Sequence, residues 1–266
     1  MATRFDLDTA VRRLETEPSV YEGRIDPGWW VVQGPNGGYL AAILLRALAQ
    51  GVEAARAPRS LTIHYLTRPE AGAVRIETRV EREGRSLSTL SARMLQGERV
   101  LALALAAFSR PRPGPRFDQV AMPAVAPPEA CESFPGRIPL HDRFQYRWAV
   151  GAPPGSGSAE ALAGGWIRAA EPQTADAPLV AAFTDAWPPA CFSWASERAT
   201  IGAVPTVDLT IHFRRDLPMA GAGPEDFYLA VFHSRVAEQG FVEEDGEVWS
   251  RDGSLLAQSR QLAAIG

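Results

Sequence analysis

Lysine is absent from this 266-residue chain, and all 27 basic residues are arginine. Schiff-base chemistry on a lysine and a lysine-bearing phosphate loop are therefore excluded. Cysteine is almost as scarce. Cys131 and Cys191 are too few for a disulfide framework and have no zinc-ligand spacing, which fits a reducing compartment. His141 and His233 stand isolated, so no metal site is expected, and no cofactor either. No Gly-x-Ser-x-Gly motif occurs, and Gly155-Ser-Gly-Ser158 reads as a flexible loop rather than the seat of a serine nucleophile. Long apolar runs are missing as well. The most apolar, residues 39–49, has 11 residues and is interrupted by Arg46, against the ~20 that a membrane span takes. Residues 1–14 are charged and lack the apolar stretch of a signal peptide. With a net charge of −4 there is no basic excess for a nucleic-acid partner. The expectation is a cytoplasmic chain with no membrane span.

What is present is a repeat. Apolar residues make up 46% and charged residues 22%, the balance of a globular chain with a sizeable core. Leu61-Thr-Ile-His-Tyr65 returns as Leu209-Thr-Ile-His-Phe213, 148 residues later, and both copies run on to an arginine and a proline. Gly97-Glu-Arg-Val-Leu-Ala102 resembles Gly253-Ser-Leu-Leu-Ala257 at an offset of 156. The difference between the offsets falls where Ala220-Gly-Ala-Gly-Pro224 reads as a longer loop. A duplication with one lengthened loop accounts for both matches.

The halves share an order of elements. In the first, Asn36-Gly37-Gly38 opens an apolar helix over residues 37–49, and alternating strands follow near 59–67, 74–83, 86–96 and 99–109. In the second, a helix capped by Asp176 is expected over 178–192, with strands near 206–214, 227–237, 240–250 and 254–264. Between them, residues 109–139 hold eight prolines and read as a stiff linker, and residues 151–165 as a loose segment. The expected units are 1–110 and 141–266, joined by 111–140. The first helix is apolar on every face, so it must be buried on all sides. Short turns join the strands after it, so they pair antiparallel. One buried helix wrapped by an antiparallel meander, twice in tandem, is an α+β double hot-dog.

The chain resembles the thioesterase-like superfamily of double hot-dog proteins, of the acyl-CoA thioesterase II (TesB) type. The resemblance is carried by Gln33-Gly-Pro-Asn-Gly-Gly-Tyr39, Ser60-Leu-Thr-Ile-His-Tyr-Leu-Thr-Arg-Pro69, Phe183-Thr-Asp-Ala-Trp187, Pro205-Thr-Val-Asp-Leu-Thr-Ile-His-Phe-Arg-Arg215 and residues 253–261. Each motif is degenerate alone; their order and spacing are not. The resemblance implies hydrolysis of acyl-CoA by a water held on an Asp of the second helix, a Thr at the next strand's start and a Gln on the last strand. By motif these are Asp185, Thr206 and Gln261. The linker and residues 149–177 match poorly, so no acyl-chain preference carries over.

The residues have readings of their own. Asp185 lies in a run, residues 179–192, that is otherwise apolar apart from Thr184 and Ser-free up to Phe192. It is either a base that holds water, or a solvent-facing carboxylate where the helix bends at Pro188-Pro189. The offsets place Gln261 opposite Leu105, Asp185 near Gly37 and Thr206 near Pro58. Polar groups thus gather in the second copy alone, although Gln261, near the C-terminus, also fits simple exposure. Alternation puts Thr206 on the opposite face from Val207, Leu209 and Ile211, so a bend or a contact with the other unit must turn it inward. Asn36, Gly37 and Gly38 offer helix N-terminal N–H groups to a thioester oxyanion, or form a plain turn. His64 and His212 recur at one position in both copies, which suits a structural role. Arg68, Arg214 and Arg215 end matching strands, either solvated or meeting CoA phosphates.

Acyl-CoA thioester hydrolysis is the function expected. A non-catalytic acyl-CoA binding protein and a hot-dog hydratase or dehydratase are the alternatives, the last needing a His that does not follow Asp185 on its helix. Exposed sheet faces in such units are commonly buried by two-fold association, so a homodimer is expected. Light scattering should give about twice the chain mass of 28.8 kDa at micromolar concentration; a mass near one chain refutes it.

Overall fold

The computed structural model describes residues 2–115, 117–134, 136–196 and 200–266. After a one-turn helix, α1 (Arg4–Asp8), the first half contains β1 (Arg12–Leu14), β2 (Glu17–Ile25), α2 (Gly37–Ala49), β3 (Ala57–Tyr65), β4 (Gly72–Glu83), β5 (Leu87–Gln96) and β6 (Arg99–Ser109). The second half contains β7 (Phe144–Gly151), β8 (Ala161–Ala169), α3 (Ala177–Phe183), α4 (Cys191–Trp194), β9 (Thr206–Phe213), β10 (Tyr228–Ser234), β11 (Ala237–Glu238), β12 (Phe241–Trp249) and β13 (Leu255–Ala264). The strands form one antiparallel sheet in the order β1-β2-β4-β5-β6-β3-β9-β13-β12-β10-β8-β7, with β11 beside β12. Exchanging the two halves leaves this order unchanged. The duplicated motif lies at its centre: β3 pairs with β9 so that Thr62 faces Thr210, its own repeat mate, with hydroxyls 3.1 Å apart. A pseudo-two-fold axis runs through that pair.

The sheet's inner face closes over both helices. Leu40, Ile43, Leu44, Leu45 and Leu48 of α2 are buried on every side, and the inward residues of both half-sheets, such as Leu61, Ile63, Leu209 and Ile211, share the same core. The chain is the α+β double hot-dog that its patterning predicts. No helix among the described residues is long and apolar enough to cross a membrane.

The eight strands expected from alternation are present with ends shifted by three residues or fewer, and α2 spans the expected range. The second helix is shorter than expected. α3 ends at Phe183, where the Thr184 hydroxyl donates back to the Ala181 carbonyl, and Pro188 and Pro189 prevent its continuation to residue 192. Residues 161–165, expected to be loose, begin the strand β8, which lies between β7 and β10. Glycine is what lets them: a Cβ on Gly164 (φ +155°) would lie 2.2 Å from the Ala230 carbonyl oxygen, and one on Gly165 (φ +157°) 2.1 Å from that of Arg147. The linker has little regular structure, but it is not a free spacer. Met122 and Val125 pack on Trp166 and Trp249 of the second half-sheet. Arg116 and Pro135 of this stretch lie outside the described residues.

Gly164→Ala should therefore cost about 1–3 kcal/mol or more, since a backbone strained for L-residues is combined with a clash. A melting temperature equal to wild type would show that β8 does not need its glycine.

Candidate active site

The helices cross where α3 ends and α2 begins. The approach is tight: a Cβ on Gly38 would stand 2.6 Å from the Ala182 carbonyl oxygen. Asp185, the second residue beyond α3, turns its carboxyl onto the first turn of α2. Its Oδ2 accepts from the Gly38 N–H at 3.1 Å and from Asn36 Nδ2 at 2.9 Å. Asn36 also caps α2, its Oδ1 accepting from the Tyr39 N–H at 2.9 Å. The Tyr65 hydroxyl donates to the Gly37 carbonyl at 2.8 Å and holds that turn from the side of β3. Burial pushes Asp185 up to about 6, against the pull of the Gly38 and Gly37 N–H groups and the Gln261 and Asn36 amides.

Thr206 and Gln261 approach from the sheet. Register between β9 and β13 slips by one residue after Leu262 opposite Asp208, so that Thr206 pairs with Ala263 and Val207 is the extra residue. This bulge reverses the alternation and turns Thr206 inward. Its hydroxyl donates to Gln261 Oε1 at 3.0 Å. Gln261 is only 7% exposed, so simple exposure near the C-terminus is not its state. Its Nε2 donates at 2.7 Å to Glu244 Oε1, on the neighbouring strand β12. Glu244 was not a candidate from sequence. It sits in the acidic run Glu243-Glu-Asp245, which looks solvated, yet Val242, Gly246 and Val248 at alternate positions mark its face as the buried one.

Asp185, Thr206, Gln261 and Glu244 line one cavity of about 510 Å³. Asn36 and Gly37 border it, but of the N–H groups expected to meet a substrate oxygen that of Asn36 bonds the Trp29 carbonyl at 2.9 Å and that of Gly38 is engaged by Asp185, as is the Asn36 side-chain amide. Much of the remaining wall is apolar, including Val31, Leu40, Ile138, Trp187, Phe192 and Val204. Of the three strand-end arginines, Arg68 borders the cavity, whereas Arg214 bonds Gln258 and Arg215 pairs with Asp118. His64 and His212 are exposed. His141, which looked isolated, reaches the cavity wall from the linker.

Two family models match the chain: the acyl-CoA thioesterase N-terminal domain over residues 26–109 and the acyl-CoA thioesterase C-terminal domain over residues 117–265. The chain belongs to the acyl-CoA thioesterase family. It is similar to a conserved hot-dog protein from Alicyclobacillus acidocaldarius, at 25% identity and TM-score 0.89 over 100% of this chain and 99% of that one. It shares the fold of the acyl-CoA thioesterase II TesB2 from Mycobacterium marinum, at 21% identity and TM-score 0.78 over 99% and 97% of the two chains. An uncharacterised Mycobacterium tuberculosis protein is 24% identical, with 100% of this chain and 99% of that one covered.

The thioesterase duplication leaves a mirror position, and it is filled. Leu61 pairs with Ala106 while Leu209 pairs with Gln261, so the mate of Gln261 is Ala106 rather than Leu105. The 156-residue offset is one too long for this strand, and Leu105 points outward, 50% exposed. Helix caps Asn36 and Asp176 correspond, which makes Leu45, not Gly37, the mate of Asp185. Glu244 faces Gln261 as Leu90 faces Ala106. Pro58 corresponds to Thr206, as the sequence offset indicated, and Pro178 replaces the N–H donor Gly38. At the mirror crossing Arg46 instead bonds Asp6 at 2.8 Å and Thr9 at 2.8 Å and lies 3.5 Å from Asp176. One crossing holds a polar cavity; the other is packed core and an ion-pair cluster.

A buried carboxyl whose value rises from 3.8 to about 6 favours the fold fully below its unfolded value, and that contribution is lost as pH rises through 6. Asp185→Asn does not titrate. Its melting temperature should therefore gain on wild type as pH is raised from 4 to 7 and hold that gain above. A difference that is constant with pH contradicts a buried, ionising Asp185.

Proposed function

We propose that this chain hydrolyses acyl-CoA thioesters by direct attack of water held on Asp185 and Thr206. The observation that carries this reading is the placing of Asp185, Thr206 and Gln261 around one apolar-walled cavity. Asp185 Oδ2 is occupied by two donors, which leaves Oδ1 to accept a proton. Thr206 spends its own proton on Gln261, so its oxygen accepts. A water donating one hydrogen to each directs a lone pair at the thioester carbon. As the C–O bond forms, Asp185 takes a proton from the water. Its hold on Asn36 weakens, and the Asn36 side-chain amide, at the positive end of α2 and in the cavity wall, turns to the oxyanion. Collapse breaks the C–S bond, and the proton on Asp185 passes to the departing CoA thiolate, giving acid and CoA. The apolar wall takes the acyl chain.

An acyl-enzyme finds no support. Burial pushes the Cys191 thiol up to about 12, so it stays protonated and a poor nucleophile. One observation favours a hydratase, namely His141 in the cavity wall. Its Nδ1, however, accepts the Arg137 N–H at 3.0 Å, its ring is wedged against Phe134 and Tyr146, and burial disfavours its charged form.

Release of free thiol from acyl-CoA should be measurable, with activity lost in acid as Asp185, raised to about 6, is protonated. Asp185→Asn should lower kcat by about 10²–10⁴. Mass spectra of enzyme quenched during turnover should show no added acyl mass. An adduct, an undiminished Asp185→Asn variant, or hydration of enoyl-CoA without thiol release would overturn the reading.

A further inference from the structure

Glu244 is a second carboxylate in the cavity wall, and the steps above give it no part. It is 7% exposed, and both its oxygens are engaged: Oε1 accepts from Gln261 Nε2 at 2.7 Å and Oε2 from the Ala190 N–H at 2.5 Å. The fold does not ask for an acid there. Its mate Leu90 is fully buried in the same place of the other half-sheet. Keeping a carboxylate where leucine packs costs several kcal/mol unless its bonds repay it.

A glutamine amide has an acceptor end and a donor end of nearly equal shape. An ionised carboxylate only accepts, so Glu244 draws the Nε2 end of Gln261 toward itself at 2.7 Å, and the Asp185 carboxyl, which the same amide also reaches, favours that end as well. Oε1 is then left facing Thr206, whose single proton goes to it. The order Ala190 N–H, Glu244, Gln261, Thr206 is therefore directional, and its last member shows the cavity a lone pair. A protonated Glu244 can donate to Oε1 instead. The amide then turns over, Nε2 faces Thr206, and the Thr206 proton swings toward the water it should be accepting from.

We propose that Glu244 is a positioning residue which, acting through Gln261, sets Thr206 as the acceptor for the attacking water. The inference rests on the hydrolytic reading for its consequence, though not for the hydrogen-bond order itself. Its surroundings bear on when it works. Burial pushes Glu244 up to about 7, and the carboxyls of Asp185 beyond α3 and Glu243 on its own strand add to this, while Ala190 and Gln261 oppose it. Cys191 of α4 lies close enough to feel its charge. The nearby cation of β13, Arg260, pairs with Glu243 and Asp245. Two carboxyls must then be ionised for turnover, not one.

The test is a double-mutant cycle on the full chain. E244Q should lower kcat by about 10²-fold with KM little changed, and the acid limb of kcat should fall from two-proton to one-proton steepness. In a Q261A background E244Q should add less than about twofold. E244L, which copies Leu90, should fold and be as slow as E244Q, covering the case in which E244Q is unstable. A kcat for E244Q within about twofold of wild type, or effects that add in the double variant, would overturn the proposal. A second readout needs no turnover. The side-chain amide resonance of Gln261, identified by its loss in Q261A, should show a step with a midpoint near 7 in wild type and lose that step in E244Q, keeping only the one near 6 from Asp185. A titration unchanged in E244Q overturns the role of Glu244 even if the chain hydrolyses thioesters. A wild type that shows the titration yet releases no thiol overturns hydrolysis instead.

Discussion

Asp185 stays in an apolar wall because the first turn of α2 is pressed against it. Two donors meet one carboxylate oxygen there, one from a backbone that has no side chain and one from the residue that caps the helix. Neither donor belongs to the half of the chain that carries Asp185. The bond is therefore also the joint between the units, and it explains why the helices must cross at Gly38, where any Cβ would push them apart. A single unit would have the acid without its donors, or the donors without the acid. The joined sheet, held by β3 against β9, is what brings them into register.

Only one of the two related crossings holds a polar cavity. Duplication creates two crossings related by the axis at Thr62 and Thr210. Four polar groups at one are matched by Leu45, Pro58, Leu90 and Ala106 at the other. Burying four polar groups costs stability unless each is bonded. The mirror crossing avoids that cost with apolar packing, and Arg46 with its acidic partners occupies the helix end. Apolar packing and a buried polar network are thus separated between two positions that began alike.

Much of this was legible in the sequence. A helix apolar on all faces dictates a sheet around it, and the repeat dictates a second copy, which together fix the fold class. A lone carboxylate in an apolar run singled out Asp185 but left it either buried at a site or facing solvent at the Pro188-Pro189 bend; the family resemblance is what pointed to a role. What was not legible depended on register. The bulge at Val207 has no signature in composition, so Thr206 looked misdirected. A one-residue error in the second offset put Leu105 opposite Gln261, and one residue in a strand is the difference between core and solvent. The strands β1, β2 and β8 lack clean alternation, and β8 carries mid-strand glycines that ordinarily signal a loop; β7 does alternate, in Phe144-Gln-Tyr-Arg-Trp148, but follows directly on the proline-rich stretch. Glu244 was hidden by acidic neighbours that do face water.

The cavity has a further division. Asp185, Thr206, Gln261 and Glu244 lie on α3's end, β9, β13 and β12, all parts of the repeated pattern. Much of the apolar wall does not: Val31 and Val32 precede α2, and Ile138, Leu140 and His141 come from the proline-rich connection that has no counterpart in the duplication. A segment joined to the sheet only at its edge, by the Ser133–Arg147 bridge and its flanking backbone bonds to β7, can change length and side chains without disturbing the register that aims the four polar groups. The four polar groups are thereby tied to the sheet, and much of the apolar wall is tied to the connection before β7, so the two are free to vary independently.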